Sequence, residues 1–151
     1  MIDVIVILLG LGVLIFLSVR DISQRLIPNN VVIPSTIIFV ILLAFLGKFV
    51  GQGPNFSRST FGLVFTFLFF LSLYAISPKG IGMGDVKLSA LVGAALSWHS
   101  YNALFIGLIA MFLISGVYSL GLVVKNPSMI HGSIPFAPFM TLGYIVGIAM
   151  R

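Results

Sequence analysis

Long apolar runs, separated by short polar or glycine- and proline-rich breaks, divide the chain from end to end. A helix of roughly 20 apolar residues crosses the hydrocarbon core of a bilayer, so each run is long enough or nearly long enough to span a membrane. Glycine, proline and clustered polar residues mark the connections between them. The pattern predicts six helices, at residues 3–19, 31–50, 60–77, 82–98, 102–124 and 134–150.

The composition agrees with this pattern. Of the 151 residues, 60% are hydrophobic and only 7% are charged, which excludes a soluble globular domain. Because only helices and closed barrels satisfy their backbone groups in lipid, we expect an all-α polytopic membrane protein. The expected architecture is a bundle of about six transmembrane helices that forms a single domain over residues 1–151.

The basic residues predict an orientation in the membrane. Lysine and arginine favour cytoplasmic connections, and the net charge of +5 fits contacts with anionic lipid, so we predict no nucleic-acid partner. The first, third and fifth connections hold Arg20, Arg25, Lys79, Lys87 and Lys125. The other side holds Lys48, Arg58 and Arg151. This distribution predicts a protein of the inner (cytoplasmic) membrane with both termini outside.

Few side chains are left for chemistry. The chain has no cysteine, which excludes disulfides, thiolate metal sites and cysteine nucleophiles. Its only carboxylates are Asp3, Asp21 and Asp85. Since successive helices alternate in direction, Asp21 at the end of the first and Asp85 at the start of the fourth are expected on the same membrane face, with Asp3 on the other.

The fourth run also indicates how deep Asp85 lies. From Asp85 to Trp98 the helix would measure only about 21 Å, less than the roughly 30 Å hydrocarbon core, so we expect the helix to start before Asp85. Two partly desolvated carboxyl groups that approach each other share one proton, which is the arrangement of aspartic proteolysis. Gly80, Gly82 and Gly84 permit close backbone approach, either of an extended substrate or of a neighbouring helix.

Three motifs resemble a known family. The residues GMGD at 82–85 resemble the G-x-G-D motif of intramembrane aspartic proteases. With VKL directly after them, RDISQRLIPN at 20–29 and IPFAPF at 134–139, they resemble the type IV prepilin peptidases. The resemblance implies that Asp21 and Asp85 are the catalytic pair of an aspartic endopeptidase that uses no metal and no organic cofactor.

The resemblance also implies a substrate. It would be a prepilin-like or archaellin-like precursor whose short basic leader ends at a glycine before a hydrophobic helix, cut at the cytoplasmic face. Larger members of this family carry paired C-x-x-C motifs near the first helix and methylate the new N-terminus. This chain lacks cysteine and is similar to the short, peptidase-only kind found with tight-adherence pili and archaeal flagellins, so we expect no methyltransferase activity.

Other interpretations of the same residues stay open. Lys87 is an ion partner of Asp85 or an interfacial anchor, and Asn29 caps the second helix or supports the site. Pro135, expected in the first turn of the sixth helix, lines the cleft or only fixes how that helix begins. His131 lies on the face of the two acids, where a metal site of two aspartates and one histidine is the minor alternative.

At the level of the whole protein, a small proton-coupled transporter or a non-catalytic pilus-assembly subunit are the rival functions. A transporter would use the two acids as a proton relay, whereas an assembly subunit would tolerate the loss of either aspartate. The sequence predicts neither the particular substrate nor the oligomeric state.

Overall fold

The described part of the chain forms six helices, and the predicted all-α fold class is confirmed. A computed structural model describes residues 2–24, 29–76, 81–125 and 134–151, and these ranges contain no strand. The helices are α1 (Ile2–Gln24), α2 (Asn29–Phe49), α3 (Gly53–Ile76), α4 (Met83–His99), α5 (Tyr101–Lys125) and α6 (Ala137–Ala149). By length and composition, α1, α2, α3 and α5 are each able to cross a membrane.

Two helices extend at least five residues beyond the bounds that the hydropathy pattern predicts. Helix α1 continues past residue 19 to Gln24, with Arg20 donating a hydrogen bond to Gln24 one turn later, so Asp21 lies inside the helix. Helix α3 starts at Gly53 instead of residue 60. Its polar first turns are held by local bonds, such as that from Ser57 Oγ to the Gly53 carbonyl oxygen, which apolar patterning does not register.

Helix α6 begins later than predicted, at Ala137, so the expectation that Pro135 lies in its first turn is wrong. Phe136 is the N-cap, and Pro138 occupies the first turn. Proline lacks an N–H, but the N–H groups of the first helical turn have no intrahelical acceptor, so Pro138 costs no backbone hydrogen bond there. Pro135 is half-buried in the stretch that leads into the helix.

Helix α4 is the centre of the bundle. Every residue from Leu88 to Trp98 is buried, although α4 has only 17 residues. As expected, it starts before Asp85, at Met83. Because protein and not lipid surrounds this helix, it does not need an apolar length that matches the bilayer.

Small residues bring α3 and α4 into close contact. A Cβ atom added to Gly62 would lie 2.5 Å from the carbonyl oxygen of Gly93. Two hydroxyl groups also bond across the pair, since Thr66 donates to the Ser89 carbonyl oxygen at 2.8 Å and Ser59 donates to that of Ala94 at 2.8 Å. Close backbone approach with interhelical hydrogen bonds is how helices associate in lipid, so α3 and α4 form a fixed unit that carries Asp85.

Candidate active site

Two of the three carboxylates lie at the same end of the bundle. Asp21 lies in the last turn of α1 and Asp85 in the first turn of α4. Their exposed fractions are only 6% and 8%. The two groups are near enough for the charge of one to act on the other. Burying a carboxylate costs free energy unless the group has hydrogen-bonding or ionic partners, so the contacts of Asp21 and Asp85 determine whether each is compensated.

The carboxyl group of Asp21 binds the start of a different helix. Its Oδ2 atom accepts a hydrogen bond from the backbone N–H of Ala137 at 3.1 Å. The free N–H groups of a helix N-terminus and its macrodipole favour an acidic partner. Asp21 therefore caps α6 from outside that helix.

Asp85 binds the start of its own helix. Its Oδ2 atom accepts a hydrogen bond from the Gly82 N–H at 3.2 Å, and its own N–H donates to the Gly82 carbonyl oxygen at 3.0 Å. The other oxygen, Oδ1, is buried and has no hydrogen-bond partner among the described residues. An unpaired buried carboxylate oxygen costs free energy, and the described residues provide no donor that would compensate this cost at Oδ1.

The glycines before α4 have distinct surroundings. Gly82 has φ −76° and ψ 145°, an extended conformation that any residue adopts. A Cβ atom there would lie 3.2 Å from Asp85 Oδ2, so Gly82 permits a close approach to the carboxyl group and does not relieve backbone strain. Gly84 is half-buried in the first turn of α4, and Gly80 lies outside the described residues.

Lys87 has an amide and not a carboxylate as its partner. Its Nζ atom donates a hydrogen bond to Asn29 Oδ1 at 2.8 Å, which joins α4 to the first residue of α2. Over the part of the chain that the structure describes, no ion pair joins Lys87 to Asp85. The structure thus brings two of the predicted supporting residues, Lys87 and Asn29, into contact close to the acids.

The third carboxylate lies at the opposite end of the bundle. Asp3 Oδ1 accepts a hydrogen bond from Trp98 Nε1 at 3.3 Å and lies 3.9 Å from His99 Nδ1. Arg151 bonds the same histidine nitrogen at 2.8 Å. His131 lies outside the described residues, within which no group of three or more metal-ligating side chains occurs.

An apolar groove of about 380 Å³ lies between α3 and α5, away from the acids. Its walls are aromatic and aliphatic, formed by Phe65, Phe69, Phe105, Leu108, Ile109, Phe112 and Leu113. Because its lining has no polar side chain, this groove offers no group for acid–base or nucleophilic chemistry.

The fold and this site define a class, a polytopic helical membrane protein with a buried pair of aspartates at one end. The sequence profile of the type IV leader peptidase family matches residues 8–124, a span that includes both aspartates. The chain therefore belongs to the type IV leader peptidase family, as its motifs predict.

Individual relatives agree with the family. The chain is 28% identical over 136 residues to a prepilin leader peptidase/N-methyltransferase of Bacillus subtilis, covering 90% of this chain and 52% of that protein. It is 30% identical over 131 residues to the protein of the same name in Aeromonas hydrophila, covering 86% and 44%. The leader peptidase HopD of Salmonella typhimurium is 34% identical over 71 residues, 46% of this chain and 44% of that protein.

The chain thus spans about half the length of the curated relatives that it matches. No solved structure matches it.

The contact between the Ala137 N–H and Asp21 was not predicted from the sequence. Every residue except proline has a backbone N–H, so no side chain in the sequence identifies this one as a donor. The only signal was the pair of prolines in IPFAPF, which indicates a helix start whose N–H groups need an acceptor.

Proposed function

We propose that this protein is an aspartic endopeptidase that removes the leader peptide from prepilin-like or archaellin-like precursors. One observation carries the proposal: two of only three carboxylates in the chain are buried together at one end of an apolar bundle. Intramembrane ionisable groups are functional in most proteins that keep them, and the family match supports hydrolysis of a leader peptide.

In the proposed reaction, one member of the pair is a carboxylate and the other a carboxylic acid. The carboxylate takes a proton from a water molecule, whose oxygen attacks the carbonyl carbon of the scissile peptide bond. The acid gives its proton to the carbonyl oxygen, and a tetrahedral diol forms. As the C–N bond breaks, the amine nitrogen takes one proton from the pair and a diol hydroxyl returns one to it.

The contacts of each acid fit this chemistry. Asp85 Oδ1 has no partner among the described residues and is free to hold water or a proton, while its Oδ2 is fixed by Gly82. Asp21 is fixed through Oδ2 by Ala137. Each carboxyl group is therefore oriented by backbone N–H groups, which cost no reorganisation during the reaction.

The proposal includes the setting of the enzyme. The charge distribution supports an inner-membrane protein whose aspartate pair faces the cytoplasm and whose termini lie outside. The connection from the end of α1 at Gln24 to the start of α2 at Asn29 is too short to hold an inserted domain. The chain also has no cysteine. Both observations support cleavage without N-methylation.

The test is leader removal from a co-expressed prepilin, followed by gel shift and by the mass of the new N-terminus. We expect cleavage by the unaltered protein and none by Asp21→Asn or Asp85→Asn. Asp3→Asn is the matched control, because Asp3 is the remaining carboxylate and lies at the other end. It should cleave normally.

Each other result points elsewhere. Cleavage by Asp21→Asn or Asp85→Asn would reject the aspartate pair as the catalytic group. No cleavage by the unaltered protein across several prepilins would reject the peptidase and favour a transporter or an assembly subunit. A methylated product N-terminus would reject the peptidase-only assignment.

A further inference from the structure

A buried pair of hydroxyl groups joins α1 to α6 beside the candidate site. Ser18 Oγ and Thr141 Oγ1 lie 2.7 Å apart, and both residues are only 7% exposed. Thr141 Oγ1 also lies 3.3 Å from the Leu14 carbonyl oxygen and 3.1 Å from that of Ala137. The hydroxyl group of Thr141 thus contacts α1 as well as its own helix.

The hydroxyl pair lies about one helical turn from the contact between Asp21 and Ala137. Ser18 precedes Asp21 by about one helical turn, and Thr141 follows Ala137 by about one turn. Further along, Tyr144 Oη donates to the Ile7 carbonyl oxygen at 3.2 Å. Since α1 and α6 run in opposite directions, these contacts are successive cross-links along one interface, and the Asp21 contact is the last of them.

These hydrogen bonds fix the position of α1 along α6, which apolar packing alone does not define. A slip of α1 by one residue moves each side chain by about 1.5 Å along the axis and turns it by about 100°. A displacement of about 1 Å is enough to cost a catalytic group about a hundredfold in rate. Apolar side chains pack against one another with no preferred direction. Hydrogen bonds between hydroxyl groups are directional, so they define how two helices lie against each other.

We propose that Ser18 and Thr141 are positioning residues, which set the register of α1 against α6 and so hold the Asp21 carboxyl group at the start of α6. The proposal rests on the proposed function for its catalytic consequence. Its structural part, that the hydroxyl pair holds position 21, does not depend on catalysis.

The kinetic test compares Thr141→Val and Ser18→Ala with the unaltered protein in leader cleavage by purified enzyme. We expect kcat to fall about tenfold while KM stays the same, because the reacting group and not the substrate contact is displaced. Thr141→Ser keeps the hydroxyl and should restore kcat.

Two control variants remove a similar hydroxyl elsewhere. Among the described residues, the hydroxyl groups that Thr36→Val and Ser115→Ala delete bond only within their own helices, to the carbonyl oxygens of Val32 and Phe112. We expect wild-type kcat from both. A wild-type kcat in Thr141→Val and Ser18→Ala, an equal loss in the controls, or a change confined to KM would overturn the proposal.

A second measurement needs no substrate. Because the chain has no cysteine, Asp21→Cys introduces a single thiol at a position that is only 6% exposed. Adding Thr141→Val should make this thiol react several-fold faster with a maleimide, whereas adding Thr36→Val should not. Equal rates would overturn the positioning role. If the unaltered protein cleaves nothing, the proposed function fails, and the thiol rates still decide whether the pair holds position 21.

Discussion

The indole N–H of Trp98 donates a hydrogen bond to Asp3 Oδ1 at 3.3 Å, which joins the end of α4 to the start of α1. At the other end of the same two helices lie the paired acids, Asp85 and Asp21. Helices α1 and α4 are therefore tied together by side chains at the end remote from the acids. This hydrogen bond lies far from the proposed chemistry, so a substitution of Asp3 should change stability without changing cleavage.

Removing the acceptor of Trp98 should affect stability without affecting cleavage. Asp3→Ala should lower the free energy of unfolding by about 1 kcal/mol through the lost hydrogen bond, whereas Asp3→Asn retains an acceptor and most of that stability. Trp98 is the only tryptophan, so its emission reports the change directly, alongside thermal unfolding in detergent. A loss of leader cleavage in Asp3→Ala would contradict the separation of the two ends.

Helix α4 should not tolerate a methyl group at its contact with α3. A Cβ on Gly93 would meet the backbone of Gly62 and the side chain of Thr66, so Gly93→Ala should lower the free energy of unfolding by about 3 kcal/mol. Gly116→Ala is the control, because a Cβ there has no neighbour within 4 Å, and it should be neutral or stabilising by up to about 1 kcal/mol. Equal thermal unfolding of the two variants would refute the close packing.

Gly82→Ala should act on the rate and not on the fold. Alanine adopts the conformation of Gly82 without strain, but its Cβ would lie 3.2 Å from Asp85 Oδ2 and displace that carboxyl group by a few tenths of an ångström. We expect kcat to fall about tenfold, with unfolding unchanged. Gly121→Ala, with open space around its Cβ, should keep normal kcat. An unaffected kcat in Gly82→Ala would show that the carboxyl group tolerates this displacement.

Lys87 and Asn29 should be energetically coupled. Lys87→Met and Asn29→Ala each remove one side of the same hydrogen bond between α4 and α2. In a double-mutant cycle of unfolding free energies we expect a coupling of about 0.5 kcal/mol. Lys125→Met, at the end of α5, should be additive with Asn29→Ala. Additive effects of Lys87→Met and Asn29→Ala would show that the hydrogen bond between these residues contributes nothing to stability.

Much of the architecture follows from the sequence, for a physical reason. Lipid requires each backbone group to be satisfied inside a helix, so apolar runs mark the six helices. Alternating helix direction is then enough to bring Asp21 and Asp85 to one end and Asp3 to the other. Hydropathy is weaker at the helix ends, where polar side chains such as Arg20 and Ser57 extend α1 and α3 beyond their apolar parts.

The interhelical contacts were harder to predict. The sequence places glycines directly before Asp85, yet among the described glycines the closest approach to a neighbouring backbone is between Gly62 and Gly93. Predicting this contact requires knowing that α3 and α4 are neighbours. Ser18 and Thr141 are single hydroxyl residues in apolar helices, where a bond to their own helix is the usual expectation. Only the relative placement of α1 and α6 shows that they meet.

The burial of α4 has a consequence for biosynthesis. This helix has 17 residues, carries Asp85 and Lys87 in its first two turns, and is not among the four helices apolar and long enough to cross a membrane by themselves. A nascent segment of this kind partitions poorly from the translocon into lipid when it is alone. Its close packing against the preceding helix, through Gly62 and Gly93, favours insertion of the two helices as one hairpin, so we expect integration of the segment that carries Asp85 to depend on α3.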